Sequence, residues 1–146
     1  MKNDLDFSLK LLPSRKESEM VKMVETAKAL SLLQPNLYII ANALWDSEPA
    51  DTLTATRMVN RLDIGSVAPT ISTIGATQES IITLLDRYKA EGIYNLLVLR
   101  GLSRPNIDVG DFPNAQSLIS FIKKHYHDFF TLHSTAYPEV HPKAIS

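Results

Sequence analysis

Apolar positions along the chain switch between continuous runs and spacings of three and four residues, and this switching predicts an order of strands and helices. Phe7 to Leu12 reads as a first strand, ended by Pro13. Ser14-Arg15-Lys16-Glu17 has the form of a capping box, in which a Ser hydroxyl accepts from the third amide and Glu reaches back. Met20, Met23, Val24, Ala27 and Leu30 then mark one helix face, closed by Pro35. Leu37-Tyr38-Ile39-Ile40 reads as a strand buried on both faces. Leu53, Met58, Val59 and Leu62 give a second helix within Thr52 to Leu62. Val67 to Ile74 is the third strand, with Pro69 arguing for a short or edge-like start. Thr77 caps a third helix carrying Ile81, Ile82, Leu84, Leu85 and Tyr88, and Gly92 fits the left-handed position after its end. Tyr94 to Leu99 is a fourth strand, and Arg100 to Asn106 has loop chemistry. Leu118, Phe121 and Ile122 mark a fourth helix, and Phe129 to His133 a fifth strand.

Strands about 30 residues apart have the spacing of βα units. Connections of that length imply parallel pairing with right-handed helical crossovers. The expected class is therefore α/β, with parallel βα repeats of about five strands and four helices in one domain over residues 1–146. Five such strands fit an open doubly wound sheet and an incomplete TIM-like barrel alike. A closed (β/α)8 barrel takes ~250 residues and at least ~200, so the expectation on the barrel side is a half.

Composition narrows the chemistry more than the fold. The chain has no cysteine, which excludes disulfides, thiolate metal sites and thiol catalysis. Its 15 basic and 16 acidic residues are interspersed, so no polybasic patch suggests nucleic acid or an anionic membrane. The stretch from Leu37 to Trp45 is too short to cross a bilayer, and acids occupy the N-terminus where a signal peptide would be apolar. A cytoplasmic protein is expected.

Ligands of parallel α/β folds gather at the C-terminal ends of the strands. Here those ends are Lys10 to Pro13, Ala41 to Leu44, Thr70 to Gly75, Arg100 to Leu102, and Ala136 to Pro142. Gly101 would let backbone approach a flat or phosphorylated ligand, and Arg100 would fork onto phosphate or a carbonyl-rich ring edge. The plainer reading is a turn glycine and a surface arginine. Tyr137-Pro138-Glu139-Val140-His141-Pro142 sets an aromatic, an acid and an imidazole in one stiff loop. His125, His127, His133 and His141 lack acids at metal-ligand spacing, so no metal is expected. Phosphate-loop, dinucleotide and nucleophile-elbow motifs are missing from the sequence.

At these strand ends the chain resembles the methylenetetrahydrofolate reductase family. The resemblance runs in order along nearly the whole sequence. It is strongest at Gly75-Ala76-Thr77, from Gly92-Ile93 through Leu99-Arg100-Gly101, and at Ala136-Tyr137-Pro138-Glu139-Val140-His141-Pro142. It implies a (β/α)8 barrel with FAD across the strand ends, in which NAD(P)H reduces the flavin and the flavin reduces a folate, serving one-carbon metabolism and methionine biosynthesis. It puts Arg100 and Gly101 by the flavin ring and its linker, and Ala115, Tyr137 and His141 among the other FAD contacts. Thr70, where the family has His, is counted with the cofactor-binding positions. Asn114-Ala115 replaces a Tyr-Ala pair, so the alanine alone is kept.

The catalytic positions depart from the family. Lys10 stands in the place of the general-acid Glu, and a lysine with its ordinary pKa of about 10.4 is a poor proton donor at neutral pH. Leu102 replaces the Asp that contacts folate and tunes the flavin. Ala41-Asn42-Ala43-Leu44 replaces Thr-Tyr-Gly-Ala. No catalytic residue is therefore assigned. The expectation is a shortened, diverged relative that is not catalytic alone and retains weak FAD binding or partner binding. The alternative is an NAD(P)H- and FAD-dependent reductase of 5,10-methylenetetrahydrofolate, active after assembly with a second copy or partner chain through the open barrel edge. Lys10 itself reads as a structural cation paired with a carboxylate, with contact to an anionic ligand as the alternative.

Overall fold

The computed structural model describes residues 6–42, 49–101 and 108–134. Its elements run β1 (Ser8–Leu11), α1 (Glu17–Leu30), a 3-10 turn (Ser31–Leu33), β2 (Leu37–Ile40), α2 (Pro49–Asn60), β3 (Val67–Ser72), α3 (Gln78–Ala90), β4 (Asn95–Leu99), α4 (Ala115–Tyr126) and β5 (Thr131–Ser134). The five strands form one parallel sheet in sequential order, β1 to β5.

That order decides between the two architectures the sequence left open. A doubly wound sheet reverses direction part-way and carries helices on both faces. Sequential order with right-handed crossovers puts every helix on the same face, as in a barrel wall. The packing agrees. Tyr38, Ile40 and Val67 are buried with Met20, Met23 and Ala27 of α1 and Ala55 and Val59 of α2. Ile71, Leu96 and Val98 are buried with Ile81, Leu85 and Tyr88 of α3 and Leu118 and Ile122 of α4.

Among the described residues the opposite face carries no helix. Leu37 and Ile39 of β2, and Leu97 and Leu99 of β4, are only half-buried there. The expectation that β2 is covered on both faces is thus corrected. One face of each strand meets helices, and the other is the inner face of a partial barrel.

Two local expectations are also corrected. Ser14 does not cap α1, whose N-cap is Lys16, two residues later, and whose first residue is Glu17. Its Oγ accepts from the Lys16 amide at 3.1 Å and donates to Glu19 Oε2 at 2.7 Å. The hydroxyl makes a local turn instead of a cap. Pro69, read as the mark of an edge, lies buried in the central strand. Alternate residues of a strand point their amides to opposite neighbours. Thr73 donates to Leu99 of β4, so position 69, of the same parity, also faces β4. Pairing with β4 begins only at Thr70, and the missing N–H removes no bond of that ladder.

Other punctuation behaves as read. Thr77 Oγ1 accepts from the Ser80 amide at 3.0 Å, and Ser80 Oγ accepts from the Thr77 amide at 2.9 Å. Gly92 at φ 75° ends α3, with its amide on Lys89 O and that of Ile93 on Tyr88 O, a Schellman pair. Among the described residues no helix is long and apolar enough to cross a membrane.

Candidate functional site at the strand ends

The alternation along β3 sends Ile71 to the helices and Thr70 and Ser72 to the inner face. Thr70 is 4% exposed, and its Oγ1 has no hydrogen-bond partner among the described residues. An unpaired buried hydroxyl costs about 1–3 kcal/mol, so such groups are rare in folded proteins and need a reason.

At the end of the neighbouring strand, the Arg100 carbonyl is the hub of a brace. It accepts from Ser72 Oγ at 3.0 Å, Thr73 Oγ1 at 3.0 Å and the Ile74 amide at 3.2 Å. The ends of β3 and β4 are therefore locked together, and Arg100 leaves a fixed backbone. Its side chain is half-buried and makes no ion pair with the described residues. Gly101 follows at φ 81°, and an added Cβ would collide with Ser72 Oγ. The smallness of Gly101 is thus required by Ser72.

The loops beyond these strands are zipped as well. The Gly75 amide donates to Val109 O at 3.1 Å, and the Asp111 amide to Ala76 O at 2.8 Å. Asp111 Oδ2 accepts from the Gln78 amide at 2.9 Å, which places a carboxylate at the N-terminus of α3. Gly75-Ala76-Thr77 earns its place structurally, with Ala76 in the core and Thr77 as the cap.

Ala115 is the first residue of α4 and packs against the core cluster of α3 and α4. Asn114 caps that helix, its Oδ1 accepting from the Ser117 amide at 2.8 Å. Lys10 is exposed on β1. Its register partner Ile39, and Ala68 beyond it, share its side of the sheet, and neither is a carboxylate. No described residue pairs with Lys10. Leu102, Tyr137 and His141 lie outside the described residues.

A cleft of about 580 Å3 opens at this end of β3. Thr70, Ser72 and Asn42 line one part of it, and Leu84 and Arg87 of α3 another. Ser72 thus contacts Arg100 and Gly101 and lines the cleft with Thr70, while Ala115 heads the next helix. Sequence reasoning missed Ser72 and Thr73, whose hydroxyls build the brace; their position beside the Arg-Gly strand end was the available signal. It also missed His133 as more than a metal candidate. Its Nε2 lies 3.1 Å from Asn95 Oδ1. Among the described residues no three acidic or imidazole groups gather as a metal site.

The family model for methylenetetrahydrofolate reductase matches residues 1–146. The chain belongs to the methylenetetrahydrofolate reductase family. A similar relative is the "Probable methylenetetrahydrofolate reductase (NADH)" of Oryza sativa subsp. japonica, 27% identical over 95% of this chain and 24% of its own length. "Methylenetetrahydrofolate reductase (NADH) 1" of Zea mays is 38% identical over 46% of this chain and 12% of its own length. The chain thus spans about a quarter of the rice relative. Within this reductase family the singly wound β1–β5 sheet corresponds to a partial barrel wall, and the braced β3 and β4 ends lie where parallel α/β folds hold ligands.

Proposed function

We propose that this chain binds a flavin on the inner face at the strand ends and does not by itself reduce a folate. The observation that carries the reading is the buried Thr70 hydroxyl without a partner, beside the backbone brace that fixes Arg100. A flavin fits this donor set. The hydroxyl gives or takes one hydrogen bond at a ring edge, and the guanidinium offers several donors to carbonyl or phosphate oxygens. Arg100 would hold the ring or its linker, with Ala115, Tyr137 and His141 as the further contacts that family resemblance suggests. FAD, when bound, would supply hydride transfer between a nicotinamide nucleotide and the folate.

The chain's own groups argue against completing that reaction. Lys10 occupies the acid's position on β1, and Leu102 the aspartate's. An exposed ammonium on this face attracts anions, but among the described residues it has no carboxylate to hand a proton through. Titration of the purified chain with FAD, followed by flavin fluorescence, should show saturable quenching. Anaerobic NADH should then leave the visible flavin band unbleached. Absence of quenching refutes flavin binding, and bleaching with turnover on a quinone acceptor refutes the loss of catalysis.

A second reading is a reductase completed by a second copy or partner chain. It is favoured by the half-buried apolar inner face of Leu37, Ile39, Leu97 and Leu99. On this reading, methylenetetrahydrofolate reduction per chain rises with protein concentration in step with sedimenting mass. A constant mass with no activity removes it.

A further inference from the structure

Register partners in a parallel sheet point to the same side. Thr70 pairs with Leu97, and Leu97 with His133. These three side chains therefore form one row across the inner face. Neighbouring strands lie about 4.8 Å apart, so Thr70 and His133 stand about 10 Å apart with Leu97 between them. Leu97 is a half-buried apolar floor. At one end of the row is the unpartnered Thr70 hydroxyl. At the other is the half-buried His133 imidazole, whose Nε2 faces Asn95 Oδ1 at 3.1 Å. With Asn95 turning its Oδ1, which only accepts, toward the ring, the matching tautomer carries its proton on Nε2 and leaves Nδ1 as an acceptor with no partner among the described residues.

The geometry points to His133 as a ligand contact that selects a flat heteroaromatic ring bearing a ring N–H. The ring lies on Leu97, donates its N–H to His133 Nδ1, and meets Thr70 Oγ1 at its other edge. Asn95 is a positioning residue, acting through the tautomer it imposes. For the identity of the ring this inference rests on the flavin reading, since the imide N–H of a flavin is the donor required.

The test compares riboflavin with its N3-methyl derivative on the full chain. Loss of one such hydrogen bond predicts about tenfold weaker binding of the methylated ring, the factor that 1.4 kcal/mol represents. His133→Ala should bring the two affinities together, and His133→Gln, which keeps an acceptor, should retain part of the difference. Nitrogen-detected imidazole NMR should report the Nε2–H tautomer in the wild-type chain and a tautomer mixture in Asn95→Ala. Riboflavin binding with equal affinity for both rings overturns the His133 contact while leaving the flavin reading intact. No riboflavin binding at all overturns both. The wild-type comparison needs no variant, so a variant that fails to fold does not spare the inference.

Discussion

Gly101 and Gly92 form a matched pair, with φ of 81° and 75°, so alanine at either meets the same backbone penalty. For an L-residue the left-handed region costs about 1–2 kcal/mol. A Cβ at Gly92 would have nothing within 4 Å. A Cβ at Gly101 would displace Ser72 Oγ, which donates to Arg100 O at 3.0 Å and accepts from the Ile74 amide at 3.2 Å. Two lost hydrogen bonds at about 0.5–1.5 kcal/mol each add about 1–3 kcal/mol at Gly101 alone. The gain from stiffening the unfolded chain is common to both variants and cancels in the comparison. Gly101→Ala should therefore be about 1–3 kcal/mol less stable than Gly92→Ala in urea unfolding followed by circular dichroism. At roughly 3 °C per kcal/mol for a chain of this size, that is about 3–9 °C in Tm. In a Ser72→Ala background, where the two bonds are already gone, Gly101→Ala should cost no more than Gly92→Ala. Equal losses for the two single variants, or an additive double variant, would refute the collision.

Other expectations follow from burial, capping and ionisation. Leu85 is 0% exposed between α3 and the sheet, so Leu85→Ala should lose about 2–5 kcal/mol by chemical denaturation; a loss under about 1 kcal/mol would mean the cluster is not packed as described. Asn114→Ala removes the cap of α4 and should cost about 1 kcal/mol, with Asn114→Ser close to neutral; indifference to both would remove the capping role. Burial raises the phenol pKa of Tyr88 and of Tyr126, and Asp86, which accepts from Tyr126 Oη at 2.8 Å, raises the latter further. Folded-state values above the unfolded value of about 10 mean that their stabilisation is full below that pH and is lost as pH rises above it. Tm should hold flat to about pH 9.5 and then fall. The fall should be shallower in Tyr88→Phe and Tyr126→Phe, and tyrosinate absorbance from these two rings should appear only with unfolding.

The order and type of the five strands and four α-helices could be read from apolar spacing, though not the 3-10 turn at Ser31–Leu33, because each helix has a single buried face and β3 and β4 are dense in β-favouring residues. What spacing could not supply was lateral order. The same five strands fit two architectures until β1–β5 adjacency put all helices on one side. Pro69 misled because a proline's cost depends on which neighbour its missing donor faces, and that is a property of pairing. Ser14 misled because a hydroxyl two residues too early bonds a turn as readily as a helix end. At the site, Arg100, Gly101 and Thr70 were legible as strand-end residues. The orphaned state of the Thr70 hydroxyl, the Ser72 contact behind Gly101 and the bond from His133 to Asn95 are all contacts across strands, about 30 residues apart in sequence. Lys10 was legible as a substitution, but which described side chains share its face depended on strand register.

The division of the core has a consequence for how the molecule opens. One cluster joins β1 and β2 to α1 and α2, and the other joins β4 to α3, α4 and Leu53 of α2. β3 belongs to both. Its residues Val67 to Pro69 pair with β2, and Thr70 to Ser72 with β4. The chain therefore has two core units that share β3 and are tied again through α2, where Arg57 pairs with Glu91 at 3.0 Å, and amide exchange should resolve them as two groups whose opening is coupled through these elements. Whatever binds Thr70 and Arg100 grips the second unit, slowing exchange in β4 and α3 while α1 continues to breathe at its own rate.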